Sequence, residues 1–483
     1  MRFEKPRLMI AALRGGAGKT FVSLGLAAAW RKYLGLRVSP FKKGPDYIDA
    51  GWLSMAAGSP CCNLDPFLMK QNDILNSFVK HSRDADICLI EGNRGVFDGV
   101  DVEGACSSAN LAKVLGVPVV LVLDATKTTR TAAAMVLGCR QMDPDLNIGG
   151  IVLNRVAGSR HESILRGSIA KYCDVPVLGV IPKLRKADFP ERHMGLIPPQ
   201  EHAAYGEAVE EAAAGIRDYL DLEALRRVAD EALPLEHGFT GTVSGSRPGG
   251  EAGAVTIGVV RDSAFQFYYP ENLEALVENG ASLVEISSLD NKPLPPVDAL
   301  YIGGGFPETH AEVLGANEVF RESLLRAIED GLPVYAECGG FMLLCRTLRY
   351  GSRVTPMTGV FPFDVVVEQK PQGHGYSVME CVEENPYYAK GATIRGHEFH
   401  YSRIVTDEHA PVKFIFRLHK GHGIIAGWDG VTYKNVLAGY SHIHSVGNAD
   451  WAGSMVRAAL LFKADKPGKI GALTRECGGL AQI

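Results

Sequence analysis

Apolar residues come in short, dense runs along the first half of the chain. "RLMIAAL" (7–13), "ADICLIEG" (85–92), "VPVVLVLDA" (117–125) and "IGGIVLNRV" (148–156) are rich in Val, Ile and Leu. Strands covered on both faces need such runs. The stretches 19–33 and 126–141 carry helix-compatible patterns. Strands alternating with helices predict a parallel α/β sheet. The pattern stops at "HGFTGTVSGSRPGGEAGA" (237–254), which is rich in Gly, Ser and Thr and nearly free of aliphatics, as linkers are. It restarts with "AVTIGVV" (254–260), "ASLVEISS" (281–288), "DALYIGGG" (298–305) and "LPVYAECGG" (332–340), and a strand-rich stretch follows over 354–445. The expected organisation is an α/β domain over 1–236, a linker over 237–253, a second α/β domain over 254–465 and a tail over 466–483. No internal repeat is visible.

Length agrees with more than one domain, since 483 residues exceed what one core organises. The formal net charge of −5 is nearly balanced and argues against a nucleic-acid or membrane-surface partner. No apolar run approaches the roughly 20 residues of a membrane helix. The opening "MRFEKPRLMIAALRGG" has a basic start but no signal-peptide cleavage site, and is expected to be a first strand. The ten cysteines match no zinc spacing, which points to reduced thiols in a cytoplasmic protein.

The first chemistry lies in "LRGGAGKT" (13–20). Gly15, Gly16 and Gly18 let backbone N–H groups face a phosphate, Lys19 can reach the terminal phosphates, and Thr20 can ligate Mg²⁺. The usual spacing asks for glycine where Leu13 stands, so this is a variant loop. "VSPFKKGPDYIDAGW" (38–52) sets Asp46 and Asp49 beside Lys42 and Lys43, a set that can bind Mg²⁺ and orient an anionic substrate. Alone it would read as a solvated loop. In "CLIEGNRGVFDG" (88–99), Glu91 ends a buried strand where a second Mg²⁺ ligand belongs, and Asp98 follows in the loop.

The second chemistry lies in "PVYAECGG". Cys338 stands between a strand and a glycine-led helix, a nucleophile-elbow pattern in which the helix start lowers the thiol pKa. The Gly339 N–H, with Gly304 of "YIGGGFPE" (301–308), can stabilise an oxyanion. A base is required, and "AGYSHIHS" (438–445) offers His442 and His444, of which alternation lets only one face the thiol. His397, Glu398 and His400 of "RGHEFHYS" (395–402) lack a zinc-helix spacing and are expected in structural or substrate-positioning roles.

Together these stretches resemble the cobyrinate a,c-diamide synthase family, glutamine-dependent amidases of tetrapyrrole side chains. "NLDPF" (63–67), "LNRVAGSRHE" (153–162), "PERHMGLIPP" (190–199) and "FQFYYPENLE" (265–274) extend the likeness over nearly the whole chain. It implies an N-terminal P-loop domain like dethiobiotin synthetase and a C-terminal class I glutamine amidotransferase domain. It also implies acyl phosphates made from ATP with Mg²⁺, and ammonia released from glutamine at Cys338. The family's carboxylates implicated in Mg²⁺ binding and carboxylate activation correspond to Asp46, Glu91 and Asp98. Tyr47 and Ile48 are expected to touch substrate with Lys42, while His442 corresponds to the base and His444 is the fallback. Many class I amidotransferases complete a triad with a Glu shortly after the histidine; here Ser445 and Val446 follow, so what orients His442 is open.

The expected substrates are cobyrinic acid, L-glutamine and ATP, with sirohaem or a related sirohydrochlorin as the alternative tetrapyrrole. A homodimer is entertained as the assembly. The more distant alternative is a partitioning-type ATPase switch, whose loop "RGGAGKT" also resembles; it would need neither Cys338 nor His442.

Overall fold

The computed structural model describes residues 2–183, 191–192, 195–196, 205–236, 253–406 and 412–465. The chain divides into two compact units, Met1–Val243 and Ser244–Ile483. The division falls inside the stretch expected as a linker. Residues 237–252, the expected tail and most of "PERHMGLIPP" lie outside the described residues.

The first unit is built on seven strands: β1 (Arg7–Ala12), β2 (Val38–Lys43), β3 (Cys62–Leu64), β4 (Ile87–Glu91), β5 (Val119–Asp124), β6 (Ile148–Val156) and β7 (Val177–Pro182). They lie in the order β3-β2-β4-β1-β5-β6-β7, and every pair is parallel. β1, β2 and β4 are buried along their whole length; in β1 and β4 this follows from apolar runs, while β2 (VSPFKK) buries Lys42 and Lys43 as well. The order reverses beside β1, so the loops after β1 and β4 open a crevice at the carboxyl edge, where α/β sheets bind ligands. Helix α1 (Lys19–Leu34) starts directly at the glycine loop. It packs closely on the helix over Tyr205–Tyr219: a Cβ on Gly25 would stand 2.3 Å from Ile216 and 2.8 Å from the Ala212 carbonyl oxygen.

The second unit has a ten-stranded sheet. In chain order its strands are β8 (Val255–Val260), β9 (Ala281–Ile286), β10 (Ala299–Ile302), β11 (Val334–Glu337), β12 (Gly373–Cys381), β13 (Thr393–His400), β14 (Lys413–Lys420), β15 (Trp428–Tyr433), β16 (Val436–Gly439) and β17 (His442–Ile443). The spatial order is β9-β8-β10-β11-β16-β15-β14-β12-β13-β17. The first five are mutually parallel and the rest pair antiparallel. Two apolar clusters fill this unit. One gathers Phe320, Leu324 and Ile328 with Phe341; the other gathers Leu276, Trp451 and Met455 around buried tyrosines.

Two glycines test the helix packing of the first unit with opposite signs. Gly25→Val is expected to destabilise it by about 1–3 kcal/mol, because backbone stands in the way. Gly138 lies in a helix over Thr131–Met142 with nothing within 4 Å of its would-be Cβ. Gly138→Ala should therefore stabilise by roughly 0.5–1 kcal/mol. Urea denaturation checks both.

Candidate functional site

The loop after β1 is shaped for an anion. Gly16 has φ +70° and Gly18 φ +99°, left-handed backbone that glycine adopts without strain. Nothing lies within 4 Å of a Cβ placed on Gly15 or Gly16, so their faces are open. Gly18 is crowded: a Cβ there would stand 2.3 Å from Asn154 Nδ2, which donates to the Ala17 carbonyl at 2.9 Å. α1 has no side-chain cap, leaving its first N–H groups to a ligand. The Lys19 ammonium donates to the Arg94 carbonyl at 2.7 Å, and burial, then the Lys42 charge, lowers its pKa.

Behind the loop stands a buried charged cluster. The Thr20 hydroxyl donates to Glu91 Oε1 at 2.8 Å, and it lies 3.4 Å from Asp49 Oδ2. The Lys42 ammonium donates to Asp49 at 2.7 Å and to Glu91 Oε1 at 2.8 Å, although Lys42 is only 1% exposed. Burial opposes its charge, but Asp49, Glu91 and Asp46 outweigh burial and raise its pKa above the ordinary lysine range. The second oxygen of Glu91 is buried without a hydrogen-bond partner. Asp46 accepts from the Asp49 N–H at 2.9 Å, and burial, followed by the Asp49 charge, pushes its carboxyl up to about 7. Asp98 accepts from the Gly95 N–H at 2.8 Å.

These residues fit Mg²⁺. An unpartnered carboxylate oxygen, a threonine hydroxyl and further carboxylates form an all-oxygen set beside a phosphate loop. The structure brings the Thr20 hydroxyl onto Glu91, with Asp46 close enough for its carboxyl to feel the charges of Lys42 and Glu91. Asp49, expected with Asp46 as one of two carboxylates able to bind Mg²⁺, joins them through Thr20 and Lys42. The structure also draws Lys42, expected on the substrate side, into the carboxylates. Tyr47 precedes α2 (Ile48–Ala57), and Ile48 is that helix's first residue. Asn154 stands within "LNRVAGSRHE", and nothing local in the sequence marks its approach to Gly18.

In the second unit, β11 ends at Glu337 and Cys338 turns the chain with φ 49° and ψ −101°, strained for a residue with a side chain. A helix over Gly339–Leu344 follows, only six residues long. The Cys338 N–H donates to the Gly439 carbonyl of β16 at 2.7 Å, tying the elbow to the neighbouring strand. His442, on β17, hydrogen-bonds both the Cys338 thiol and Glu337; burial opposes its charge, yet these bonds raise its pKa to about 10. His442 is therefore the histidine that meets the thiol. His444 is fully buried, with Nε2 3.7 Å from Glu271 and its ring 4.5 Å from that of Tyr269. Gly304 lies against His442, its would-be Cβ 2.4 Å from Cε1, and a Cβ on Gly339 would stand 3.0 Å from the Gly305 nitrogen. Gly305 thus joins the candidate oxyanion donors.

The neighbouring motif is structural where its contacts are seen. Glu398 accepts from the His422 and Gly423 N–H groups at 2.9 and 3.0 Å, and the His400 ring stacks 3.7 Å from that of Tyr440. His397 stacks on His442 at 5.0 Å; burial, then the charge of His442, lowers its pKa well below the ordinary value.

A nucleotide loop on one unit and an elbow cysteine with its histidine on the other are the marks of nucleotide-dependent glutamine amidotransferases. Residues 8–197 match the CobQ/CobB/MinD/ParA nucleotide binding domain family, and residues 256–450 match the CobB/CobQ-like glutamine amidotransferase domain family. The chain is similar to the cobyrinate a,c-diamide synthase of Magnetococcus marinus, at 43% identity over 95% of this chain and 98% of that protein. It is similar to that of Archaeoglobus fulgidus at 38%, over 95% and 98%. The Listeria monocytogenes protein of the same name is 39% identical over 91% of this chain and 96% of its own length. The chain belongs to the cobyrinate a,c-diamide synthase family. It is an ATP-dependent ligase that takes nitrogen from glutamine, which sets the partitioning-switch reading aside. No helix among the described residues is long and apolar enough to cross a membrane.

The Asp46 carboxyl offers a pH test. Its pKa rises from 3.8 unfolded to about 7 folded. It is protonated in both states below the lower value and ionised in both above the higher, so its burial cost grows as pH rises between them. Asp46→Asn keeps an oxygen for the Asp49 N–H and removes the charge. Without nucleotide or Mg²⁺, it should raise the thermal midpoint at about pH 8, with the gain shrinking toward pH 5. A gain independent of pH would show that burial of this charge is not its cause.

Proposed function

We propose that the chain converts the a and c acetate carboxylates of cobyrinic acid to amides, through acyl phosphates made from ATP, with ammonia from glutamine. The observation that supports this most is one chain pairing a buried carboxylate cluster at a phosphate loop with a Cys338–His442 dyad, among relatives named for that reaction. A carboxylate is a poor acyl donor because oxide leaves badly; phosphorylation supplies the leaving group. Gly15, Gly16 and Gly18 cradle the phosphates, and Lys19 follows the terminal ones. Thr20, Asp49 and Glu91 would hold Mg²⁺, with Asp46 beside them; bound there, Mg²⁺ neutralises charge on the transferring phosphoryl group. Lys42 keeps the carboxylates together before ligands arrive. Asp98 is assigned to carboxylate activation, and Tyr47 and Ile48, at the start of α2, to contact with the substrate.

At the other site the Cys338 thiolate adds to the glutamine amide carbon while Gly339 and Gly304 or Gly305 N–H groups steady the oxyanion. The carbon–nitrogen bond breaks, and the His442 imidazolium gives the nitrogen the proton with which it leaves as ammonia. Water then releases glutamate from the thioester. Ammonia displaces phosphate from the activated substrate.

Mass spectrometry of products made with ATP, Mg²⁺ and glutamine, with cobyrinic acid and sirohaem supplied in parallel, tests the substrate. Two amide additions on cobyrinic acid alone are expected; amidation of sirohaem alone would move the same chemistry to another macrocycle. Cys338→Ser should abolish glutamine use while ammonium still supports amidation. If both activities vanished in a folded variant, the division of labour would be wrong. Glu91→Gln should leave glutamine hydrolysis measurable and lower amide formation by roughly 10²-fold or more.

A further inference from the structure

A histidine that hands a proton from Nε2 works only when Nδ1 is held in one tautomer and orientation. Where many related sites carry a glutamate shortly after the histidine, Ser445 and Val446 stand here. The carboxylate that meets His442 Nδ1 belongs instead to Glu337, at 3.3 Å, the residue directly before the nucleophile. We propose that Glu337 is the positioning residue of the glutamine-hydrolysing site, orienting His442 from the same strand that delivers Cys338. This rests on the reading of Cys338 and His442 given above.

Glu337 is itself fixed from two sides. The Tyr301 hydroxyl donates to its Oε2 at 3.1 Å, and the Ile443 N–H donates to its Oε1 at 3.1 Å. The Asn272 amide closes the ring, donating to the Tyr301 hydroxyl at 3.3 Å and to the Ile443 carbonyl at 3.0 Å. Glu337 is 1% exposed and His442 2%, so water screens their pairing little. Successive residues of a strand point to opposite faces. The positive φ of Cys338 breaks that alternation, and both Glu337 and Cys338 reach one imidazole. Among the described residues, titratable groups packed near His442 besides Glu337 and Cys338 include the stacked ring of His397, with Tyr269 and His444 beyond it, and Tyr301 behind Glu337; Glu271 lies farther out, against His444. Neither His397 nor the tyrosines supply a negative charge at neutral pH. Glu337 is thus placed to hold the imidazolium at the elbow and to keep on Nε2 the proton that departing ammonia takes.

Glu337→Gln keeps the size and drops the charge. In the full-length enzyme, kcat for glutamine hydrolysis should fall roughly 10²-fold while KM for glutamine stays within about twofold. Alkylation of Cys338 by iodoacetamide at pH 7 should slow by about tenfold. The alkaline limb of kcat should move to lower pH by roughly one pH unit, because an imidazolium without its anion gives up its proton sooner. Glu337→Asp should recover part of each. Wild-type kcat, alkylation rate and pH limb in a folded Glu337→Gln would overturn the proposal. If circular dichroism shows that variant unfolded, Glu337→Asp decides: no change in kcat or in the pH limb overturns it. Cys338→Ser, assayed alongside, separates the two readings. Hydrolysis of glutamine at the wild-type rate by that variant would sink the dyad itself, whatever Glu337 does.

Discussion

Parallel strands bring all their carboxyl ends to one edge of a sheet, and both sites grow from that constraint. Glu91 ends β4 directly opposite Lys42, its register partner one residue before the end of β2, so their side chains meet without help from any loop. The glycine turn after β1 then opens beside them. In the second unit, Glu337 ends β11 between β10 and β16, and the chain must turn there. The turn gives Cys338 its strained backbone and binds it to Gly439 next door.

The two sites solve the same electrostatic problem in the same way. A charge taken out of water is costly unless an opposite charge and hydrogen bonds receive it. Lys42 is received by Asp49 and Glu91, His442 by Glu337 and the Cys338 thiol. The solutions differ in completeness. Around Glu337 both carboxylate oxygens have donors, which suits a group that must hold another still. Around Glu91 one oxygen is left over, which suits a group waiting for a cation.

Much of the fold was legible because buried parallel strands leave continuous apolar runs, as β1, β4, β5 and β6 do, and because helices alternate with them. The chemistry was legible where it is local. "GGAGKT" must build its turn from its own glycines, and "ECGG" must build its elbow from its own backbone. What escaped was nonlocal. Asp49 is one of two aspartates three residues apart, and only the start of α2 decides which one faces Thr20. Asn154 reaches Gly18 from β6 across the sheet. Glu337 looked like the last residue of a strand, pointing away from the residue after it.

Taken alone, the sequence determined the two α/β units, the nucleotide loop, the elbow cysteine and the pair of histidines from which its partner is drawn. These rest on periodicity, glycine chemistry and spacing, which are properties of short segments. The tertiary structure decided which histidine meets the thiol, which carboxylate orients it, and that Lys42 sits among acids. Each of those choices depends on how distant strands pair and on which buried charges must find partners, and no single segment carries that information.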